Sequence, residues 1–203
     1  MYKFPIIVFE GIEGSGKSFH LKNIKKYLKK KKIKYLSFRE PGGSKNAEKI
    51  RKLILSNKSN FNKNTDLLLY LAARSENVSL LTKFYKKKII LIDRFVDSTL
   101  AYQHFGLGAD INLIKFINKF LLKKIKVNFT FLNIVNNKNL ISRLKKRKTL
   151  NRYDKFNLNF YNKVQNGFLK LSKNKNKYKI INSNLNIKKN ETLILDIVNK
   201  LIG

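Results

Sequence analysis

The chain has 203 residues, of which 43% are hydrophobic, so it can form one domain over 1–203 with a sizeable core and is not compositionally disordered. The lack of cysteine excludes disulfides and thiolate chemistry. No apolar run predicts a membrane span, and no N-terminal pattern predicts a secretory signal. We therefore expect a cytoplasmic protein. The net charge of +33 is typical of nucleic-acid-binding proteins and keeps that class open.

The predicted elements alternate between strands and helices in chain order. Apolar, β-branched runs predict strands at 4–10, 33–38, 89–93, 127–134 and 178–182. Helices are predicted near 17–31, 47–56, 66–87, 110–124, 137–147, 155–172 and 189–202. Thr65 is the predicted N-cap of the helix at 66–87. The alternation predicts an α/β fold with a largely parallel sheet.

The first predicted strand leads directly into a phosphate-binding pattern. The segment from Gly11 to Ser18 fits G-x-x-x-x-G-K-[ST], and a predicted helix begins near Lys17. Backbone N–H groups of such a loop surround the phosphates of a nucleotide, and the helix N-terminus adds a favourable dipole. Lys17 is predicted to reach the β- and γ-phosphates, and the Ser18 hydroxyl to bind Mg²⁺. A glycine-bearing turn that matches by chance is the alternative, which the order of strand, loop and helix disfavours.

Two further polar segments follow the second and third predicted strands. Arg39-Glu40-Pro41-Gly42-Gly43 follows the second strand, and the segment from Asp93 to Gln103, with the sequence DRFVDSTLAYQ, follows the third. In an open α/β sheet, both segments emerge at the carboxyl ends of strands, beside the phosphate loop. Pro41 fixes its own φ and restricts the residue before it, so a defined loop is predicted over 40–43.

Basic residues are dispersed along the chain instead of forming one tract. The runs at 29–32 and 86–88 stand at predicted helix C-termini, where cations are favourable. The charge therefore predicts nonspecific, salt-dependent attraction to polyanions and no specific nucleic-acid partner. The basic segment 143–155 is the least core-like interior stretch. It is either a mobile lid over a phosphate site or a solvated helix end, and charge alone favours the solvated end.

Ala72-Ala73-Arg74 lies between the two polar segments and completes a set of four separated motifs. In this order, and over nearly the full chain, the set resembles the thymidylate kinase (dTMP kinase) family, in its bacterial form with an acidic phosphate loop and a basic lid. The resemblance implies a three-layer P-loop fold, with a five-stranded parallel sheet flanked by helices and a short lid near 143–155. It implies that ATP phosphorylates dTMP to dTDP for dTTP biosynthesis, with Mg²⁺ as the cofactor. It also implies a homodimer, formed through helices that include parts of 66–87.

For the donor nucleotide, the resemblance implies contacts from the whole phosphate loop. Its members are Gly11, Ile12, Glu13, Gly14, Ser15, Gly16, Lys17 and Ser18. Ser18 and Asp93 would organise Mg²⁺, directly or through water. From the residues alone, Asp93 could be an ordinary polar strand end, but the adjacent Arg94 favours the functional interpretation.

For the acceptor, the resemblance implies that Arg94, with Arg39 nearby, binds the dTMP phosphate, because guanidinium groups suit bidentate recognition of phosphate. Glu13 would accept a hydrogen bond from the sugar 3′-hydroxyl. Tyr102 would crowd the 2′ position of the sugar and disfavour ribonucleotides. Pro41 belongs to a loop that would shape the acceptor site.

The acceptor base would be recognised by residues of the later motifs. Tyr70 takes the position of the family's usual Phe and would stack on thymine, while Arg74 and Gln103 would address polar base edges. Thr99 lies at another base-facing position. Without the resemblance, Tyr70 and Tyr102 would be interpreted as core aromatics and Arg74 as a surface helix residue.

The phosphate loop carries an acidic residue, Glu13. The resemblance implies that, in family members with an acid at this position, the lid supplies the arginine that stabilises the transition state. Arg147 and Arg152 are the predicted lid arginines, and Arg143 is the next candidate. The predicted catalytic set is Lys17, Arg94, Arg147 and Arg152.

Three positions depart from the family pattern. Asn151 replaces an acid before a lid arginine, Asn133 replaces an Asp near the end of the fourth strand, and Leu107 stands where an Arg often occurs. These changes remove charged partners from the lid and the acceptor loop. Two other interpretations stay open: a related nucleoside or nucleotide kinase with another acceptor, and a basic nucleic-acid-binding P-loop protein.

Overall fold

The computed structural model describes residues 3–203, which contain one five-stranded sheet. Its strands are β1 (Ile6–Glu10), β2 (Tyr35–Arg39), β3 (Ile89–Asp93), β4 (Phe129–Ile134) and β5 (Tyr178–Asn182). The strand order is β2-β3-β1-β4-β5, and every neighbouring pair is parallel. The predicted parallel α/β fold is therefore confirmed, with strand boundaries within two residues of the predicted ones.

Eight α-helices accompany this sheet within the described residues. They are α1 (Lys17–Lys30), α2 (Lys45–Leu55), α3 (Lys63–Phe84), α4 (Val96–Thr99), α5 (Ile111–Leu122), α6 (Asn137–Lys145), α7 (Leu158–Leu171) and α8 (Ile187–Ile202). A π-helical turn (Leu100–Gly106) continues α4, and a 3₁₀ helix (Arg152–Lys155) precedes α7. The sequence did not predict the helical segment over 96–106. The prediction of Thr65 as an N-cap is wrong, because α3 begins three residues earlier than predicted, at Lys63. The Asn62 side chain caps it by accepting from the amides of Asn64 and Thr65.

The two faces of the sheet bury different helices, which makes three layers. Along β1, Ile7 and Phe9 pack in a cluster with residues of α1 and α8. The alternate residues Ile6 and Val8 pack in a second cluster, with Leu81 of α3. Successive side chains of a strand point to opposite faces, and a strand covered on both sides is apolar at every position. This explains why β1 and β3 are almost continuous apolar runs.

The strand ends bring the polar motifs to one edge of the sheet. In the parallel register, Asp93 at the end of β3 pairs with Phe9 of β1 and with Arg39 at the end of β2. The phosphate loop leaves β1 directly after Glu10, so all three segments meet there. None of the helices in the range 3–203 combines the length and the apolar character required to cross a bilayer.

Candidate functional site

A cavity of about 400 Å³ lies at this edge of the sheet, beneath the segment that was predicted to form a lid. It is lined by residues of the phosphate loop, the two polar segments, α2, α3 and the lid. They are Glu13, Gly14, Ser15, Gly16, Lys17, Ser18, Phe19, Arg39, Glu40, Pro41, Arg51, Leu55, Tyr70, Asp93, Arg94, Ser98, Tyr102, Arg147, Asn151 and Tyr153. Most of the predicted site residues are therefore brought together. The predicted residues outside this lining are Gly11, Ile12, Arg74, Thr99, Gln103 and Arg152.

The phosphate loop adopts a conformation that requires glycine at its first position. Gly11 has φ of +135°, and a Cβ there would lie 2.1 Å from the carbonyl oxygen of Asn133 at the end of β4. Lys17 is buried, and its Nζ donates to the carbonyl oxygens of Gly11 at 2.8 Å and Ile12 at 2.9 Å. Burial lowers the pKa of Lys17 to about 8, and the nearby positive charge of Arg94 acts in the same direction. The negative charges of Asp93, Glu13 and Glu10 oppose this lowering of the pKa only in part.

Ser18 and Asp93 form a pair at the junction of α1 and β3. The Ser18 hydroxyl donates to Asp93 Oδ2 at 3.0 Å, and both side chains line the cavity. Hydroxyl and carboxylate oxygens are ligands that Mg²⁺ accepts. Among the residues that the structure describes, no group of three or more His, Cys, Asp or Glu side chains is placed to hold a metal ion. The pair thus fits a cation that takes its other ligands from water and phosphate.

Arg94 and Glu13 form an ion pair inside the cavity. Arg94 Nη2 lies 2.8 Å from Glu13 Oε1, and the Tyr102 hydroxyl donates to the other oxygen of Glu13. The Arg94 guanidinium also lies 5.0 Å from the centre of the Tyr102 ring. Burial alone would raise the pKa of Glu13, but the charges of Arg94 and Lys17 hold it below its usual value. Glu13 is therefore a charged acceptor that faces the cavity.

A second arginine, Arg51, lines the cavity and was not singled out from the sequence. It lies on α2, and its Nη1 donates to the Pro41 carbonyl at 2.6 Å. The signal that could have found it is its place on the apolar face of α2, between the buried Ala47 and Ile54. Arg39 lies at the mouth of the cavity and is more exposed, with Nη2 at 3.4 Å from Glu48 Oε2.

Three tyrosines form an aromatic wall of the cavity. The ring of Tyr153 lies edge-on to Tyr70 at 6.0 Å and to Tyr102 at 5.8 Å, measured between ring centres. Tyr70 and Tyr102 belong to or pack against a core cluster, as the core-aromatic interpretation predicts, and they also line the cavity. Their contacts with an acceptor stay predictions. Tyr153 was missed because it comes from the lid segment, where only the arginines were considered.

The remaining predicted base-contacting residues lie beside the cavity in a buried polar network. Arg74 is 1% exposed, so the alternative of a surface helix residue is wrong. It donates from Nε to Glu40 Oε2 at 2.8 Å, from Nη1 to Asn118 Oδ1 at 2.7 Å and from Nη2 to Thr99 Oγ1 at 3.0 Å. Burial raises the pKa of Glu40 although Arg74 opposes that rise. Base contacts from Arg74 and Thr99 stay predictions, since both side chains are bonded to protein groups here.

Gln103 is also buried behind the aromatic wall. Its Nε2 donates to Asp66 Oδ2 at 3.2 Å and to the Tyr153 hydroxyl at 3.1 Å. Its Oε1 has no hydrogen-bond partner among the described residues. Gln103 therefore retains a free acceptor next to the tyrosines, and its contact with a base also stays a prediction.

The predicted lid segment has an exposed part and a buried part, and its mobility stays a prediction. Residues 146–150 are exposed, whereas Tyr153 and Asp154 in the 3₁₀ helix are buried. Arg147 lines the cavity and forms an ion pair with Asp154, while Arg152 pairs with Asp66 of α3 outside the cavity. Arg143 donates to the carbonyls of Gly14 at 2.7 Å and Ser183 at 2.8 Å, and so braces the phosphate loop.

The three departures from the family pattern have distinct surroundings. Asn151 caps the 3₁₀ helix in a capping box with Asp154. Asn133 is buried, and neither polar atom of its side chain has a partner among the described residues. Leu107 packs against the core cluster that contains Tyr102. Asn151 thus performs a structural task in the lid that does not need a charge.

Comparison with known proteins agrees with the motifs. The family model described as "Thymidylate kinase" matches residues 9–194. A thymidylate kinase of Thermosipho africanus is 40% identical over 183 residues, covering 89% of this chain and 90% of that protein. One from Wolbachia of Brugia malayi is 37% identical over 96% of this chain and 94% of that protein. The crystal structure of thymidylate kinase from Ehrlichia chaffeensis superposes with a TM-score of 0.77 at 27% identity, over 96% of this chain and 98% of that one. Since the family model and these relatives span most of the chain, it belongs to the thymidylate kinase family.

Proposed function

We propose that this chain transfers the γ-phosphoryl group of ATP to dTMP, in the cytoplasm, and so produces ADP and dTDP for dTTP biosynthesis. Family membership gives the reaction class. The observation that carries the assignment is one cavity that joins a phosphate loop, an arginine–glutamate pair and an aromatic wall. A donor phosphate chain, an acceptor phosphate and an acceptor base need these three surfaces side by side, because phosphoryl transfer depends mainly on positioning and charge stabilisation.

On the donor side, the loop amides and Lys17 hold the ATP phosphates. Lys17 exchanges its hydrogen bonds to the carbonyls of Gly11 and Ile12 for bonds to phosphate oxygens. The negative charge of the phosphates stabilises the ammonium group, whose charged form burial disfavours. Ser18 and Asp93 would hold Mg²⁺ by their oxygens. When bound, the ion neutralises charge on the β- and γ-phosphate oxygens.

On the acceptor side, positive charge surrounds the place of the dTMP phosphate. Arg94 supplies a partly buried guanidinium, and Arg39 and Arg51 supply further charge from β2 and α2. Glu13 is held by Arg94 and Tyr102 and accepts the hydrogen bond of the sugar 3′-hydroxyl. Tyr102 stands where it limits room at the 2′ carbon.

For the base, the aromatic wall offers the face of one ring, that of Tyr70, as a flat apolar surface. Tyr70 stacks on thymine, and Tyr153 closes the pocket from the lid. Arg74, Thr99 and Gln103 reach the polar base edges only if their buried network rearranges on binding, and the free Oε1 of Gln103 is the acceptor that needs the smallest rearrangement.

We also propose that two copies of the chain form a homodimer. Large apolar side chains on α5 are exposed, with Phe116 at 70% and Phe120 at 66%. Leu68 on the adjacent α3 is exposed at 54%. Such exposed apolar residues on two packed helices favour an interface that includes part of 66–87.

ADP release from Mg-ATP with dTMP, dUMP, dCMP, GMP or thymidine as acceptor tests the proposed reaction. We expect a strong preference for dTMP. Replacing Lys17 by alanine removes a charge that contacts the transferred group, so Lys17→Ala should lower kcat by about 10²–10³-fold. A thermal melt of the variant, with and without dTMP, controls for folding.

The outcomes separate the three interpretations of the sequence. Activity on another acceptor would keep the kinase assignment and overturn the roles of Tyr70, Arg74 and Gln103. A well-folded protein that phosphorylates none of the five acceptors would contradict the proposed function. Activity that survives Lys17→Ala unchanged would show that the measured turnover does not arise at the phosphate loop.

A further inference from the structure

Glu10 is a buried carboxylate that the proposed mechanism does not use. It is the last residue of β1, directly before the phosphate loop, and its side chain is 1% exposed. A buried carboxylate is costly unless hydrogen bonds or charges compensate it. Its partners therefore indicate what it does.

All three hydrogen bonds that Glu10 accepts come from the turn after β3. Its Oε1 accepts from the Phe95 amide at 2.7 Å and from the Ser98 amide at 3.2 Å. Its Oε2 accepts from the Ser98 hydroxyl at 2.5 Å. Phe95, the N-cap residue of α4, makes no side-chain cap of its own. Glu10 thus satisfies amides at the start of α4 from the strand next to β3.

These bonds fix the backbone on both sides of Arg94. Arg94 has φ of +67°, a conformation that non-glycine residues adopt only where the surroundings impose it. Its own amide donates to the Phe9 carbonyl at 2.9 Å, and the next amide, that of Phe95, donates to Glu10. The bend that turns Arg94 into the cavity is therefore held at both ends by β1.

Ser98 connects Glu10 to the Arg94 guanidinium. The Ser98 hydroxyl donates its proton to Glu10, which leaves its lone pairs to accept from Arg94 Nη1 at 3.4 Å. The direction of these two hydrogen bonds depends on the charge of Glu10, because a carboxylate accepts hydrogen bonds and cannot donate them. An amide or a protonated carboxyl at Glu10 can donate to Ser98, and the hydroxyl proton would then turn towards the guanidinium.

We propose that Glu10 is a positioning residue for the acceptor phosphate: its carboxylate holds the turn at Arg94 and, through Ser98, aims the guanidinium into the cavity. The inference rests on the role proposed for Arg94 at the dTMP phosphate.

The electrostatic surroundings of Glu10 raise its pKa to near neutral pH. Burial and the charge of Asp97 raise the pKa of Glu10 to about 7, against the hydrogen bonds from Ser98 and Phe95 and the charge of Arg94. Lys17 faces it from α1, and Lys177 and Tyr178 of the β5 region line a cavity of about 70 Å³ with Glu10 and Asp97. The Tyr178 hydroxyl is bonded to Asp97, not to Glu10. The positioning effect is therefore present above pH 7 and is lost as the pH falls through 7.

Steady-state kinetics of Glu10→Gln test the proposal, because glutamine keeps the shape and removes the charge. At about pH 8 we expect the KM for dTMP to rise about tenfold, while the KM for ATP stays within about twofold. At about pH 6 the native protein should resemble the variant, so that the ratio of their dTMP KM values falls towards one. We compare the dTMP KM of the variant with that of the native protein at each pH, because the phosphate of dTMP itself titrates near pH 6. This titration affects both proteins equally and cancels in the ratio.

Three further variants complete the experiment. Asp97→Asn is the matched control, because it removes a neighbouring, partly buried carboxylate whose side chain is bonded to Tyr178 of β5 and not to the groups that hold Arg94. The dTMP KM at pH 8 should not change. Arg94→Ala should raise the dTMP KM more than Glu10→Gln does. Ser98→Ala leaves the backbone bonds to Glu10 in place and should raise the dTMP KM about threefold.

Each outcome bears on one statement. A normal dTMP KM in Glu10→Gln, with a raised one in Arg94→Ala, overturns the role of Glu10 and leaves that of Arg94. A normal dTMP KM in Arg94→Ala contradicts the role proposed for Arg94. A dTMP KM ratio that is the same at pH 6 and pH 8 overturns the dependence on the carboxylate. If Glu10→Gln does not fold, a normal dTMP KM in Ser98→Ala is the result that overturns the inference.

Discussion

Two lid arginines that are five residues apart have different neighbours. Arg147 lines the cavity, and its ion pair with the buried Asp154 leaves it partly exposed there. Arg152 lies outside the cavity, where it pairs with Asp66 and lies 5.5 Å from the centre of the Phe61 ring. Of the two arginines, only Arg147 lines the cavity, so we expect it to approach the transferred phosphoryl group without a rearrangement of the 3₁₀ helix.

Arg147→Ala and Arg152→Ala should therefore differ in kinetics. Arg147→Ala should lower kcat by about 10²–10³-fold with little change in the dTMP KM, since an interaction made only in the transition state affects turnover and not ground-state binding. Arg152→Ala should have the smaller effect on kcat. Initial rates with both substrates varied give the comparison. Near-normal turnover in both variants would remove the lid arginine from the mechanism, and a larger loss in Arg152→Ala would reverse the assignment.

At the scale of elements, one carboxylate of α3 forms hydrogen bonds and an ion pair with the 3₁₀ helix of the lid. Asp66, in the first turn of α3, accepts from Arg152, from the Tyr153 hydroxyl and from Gln103 Nε2. Asp66 is buried, and Tyr153 carries this attachment to the wall of the cavity. The position of the aromatic wall and the position of the lid therefore depend on the same carboxylate.

Asp66→Asn should loosen the lid, because it leaves Arg152 without its counter-charge and gives Tyr153 a weaker acceptor. Trypsin cleavage within 143–155, which is rich in Lys and Arg, reports such local opening. We expect cleavage about tenfold faster than in the native chain, as a loss of about 1.4 kcal/mol in local stability would produce. Tyr153→Phe, which keeps the ring, should accelerate cleavage less. Equal cleavage rates in all three proteins would show that the lid is held elsewhere.

The elements also show which features a sequence can predict. β1 and β3 are buried on both faces and are therefore almost continuous apolar runs, which the sequence shows directly. The partly exposed edge strands β2 and β5 were found from their shorter apolar, β-branched runs. The π-helical turn was not, because it depends on contacts with α7. A Cβ at Gly106 would lie 2.7 Å from the Phe160 ring, and one at Gly167 would lie 2.6 Å from the Phe105 ring. Two glycines far apart in the chain thus let two helical segments approach closely, and no local pattern records this pairing.

Among the site residues, too, those in local sequence motifs could be predicted and those placed by tertiary packing could not. The motif residues at the ends of strands or in the segments that follow them, such as Lys17, Asp93 and Arg94, meet because strand order brings these segments to one edge. Arg51 and Tyr153 reach the cavity from a helix face and from a lid, whose positions depend on tertiary packing. The buried state of Arg74 could not be predicted either, since its partners Glu40, Thr99 and Asn118 come from three separate segments.

At the scale of the whole molecule, charge and apolar surface have opposite effects on association. Each chain carries a net charge of +33, so two copies repel each other at low ionic strength. The apolar face formed by Phe116 and Phe120 on α5, with Leu68 on α3, favours contact in water. Salt screens the repulsion with a Debye length of about 10 Å at 0.1 M, but does not weaken apolar burial.

The proposed dimer should therefore become stronger as salt increases. Sedimentation velocity over a concentration series, from about 0.05 M to about 0.5 M NaCl, should show the dimer Kd falling with salt. Phe116→Glu should shift the chain to monomer at every salt concentration, because it places a charge on the apolar face. Leu185→Glu, at an exposed leucine in the turn before α8, is the matched control and should leave the dimer intact. A dimer that survives Phe116→Glu would place the interface on another surface, and one that dissociates with added salt would indicate that ion pairs, not apolar burial, hold the two copies together.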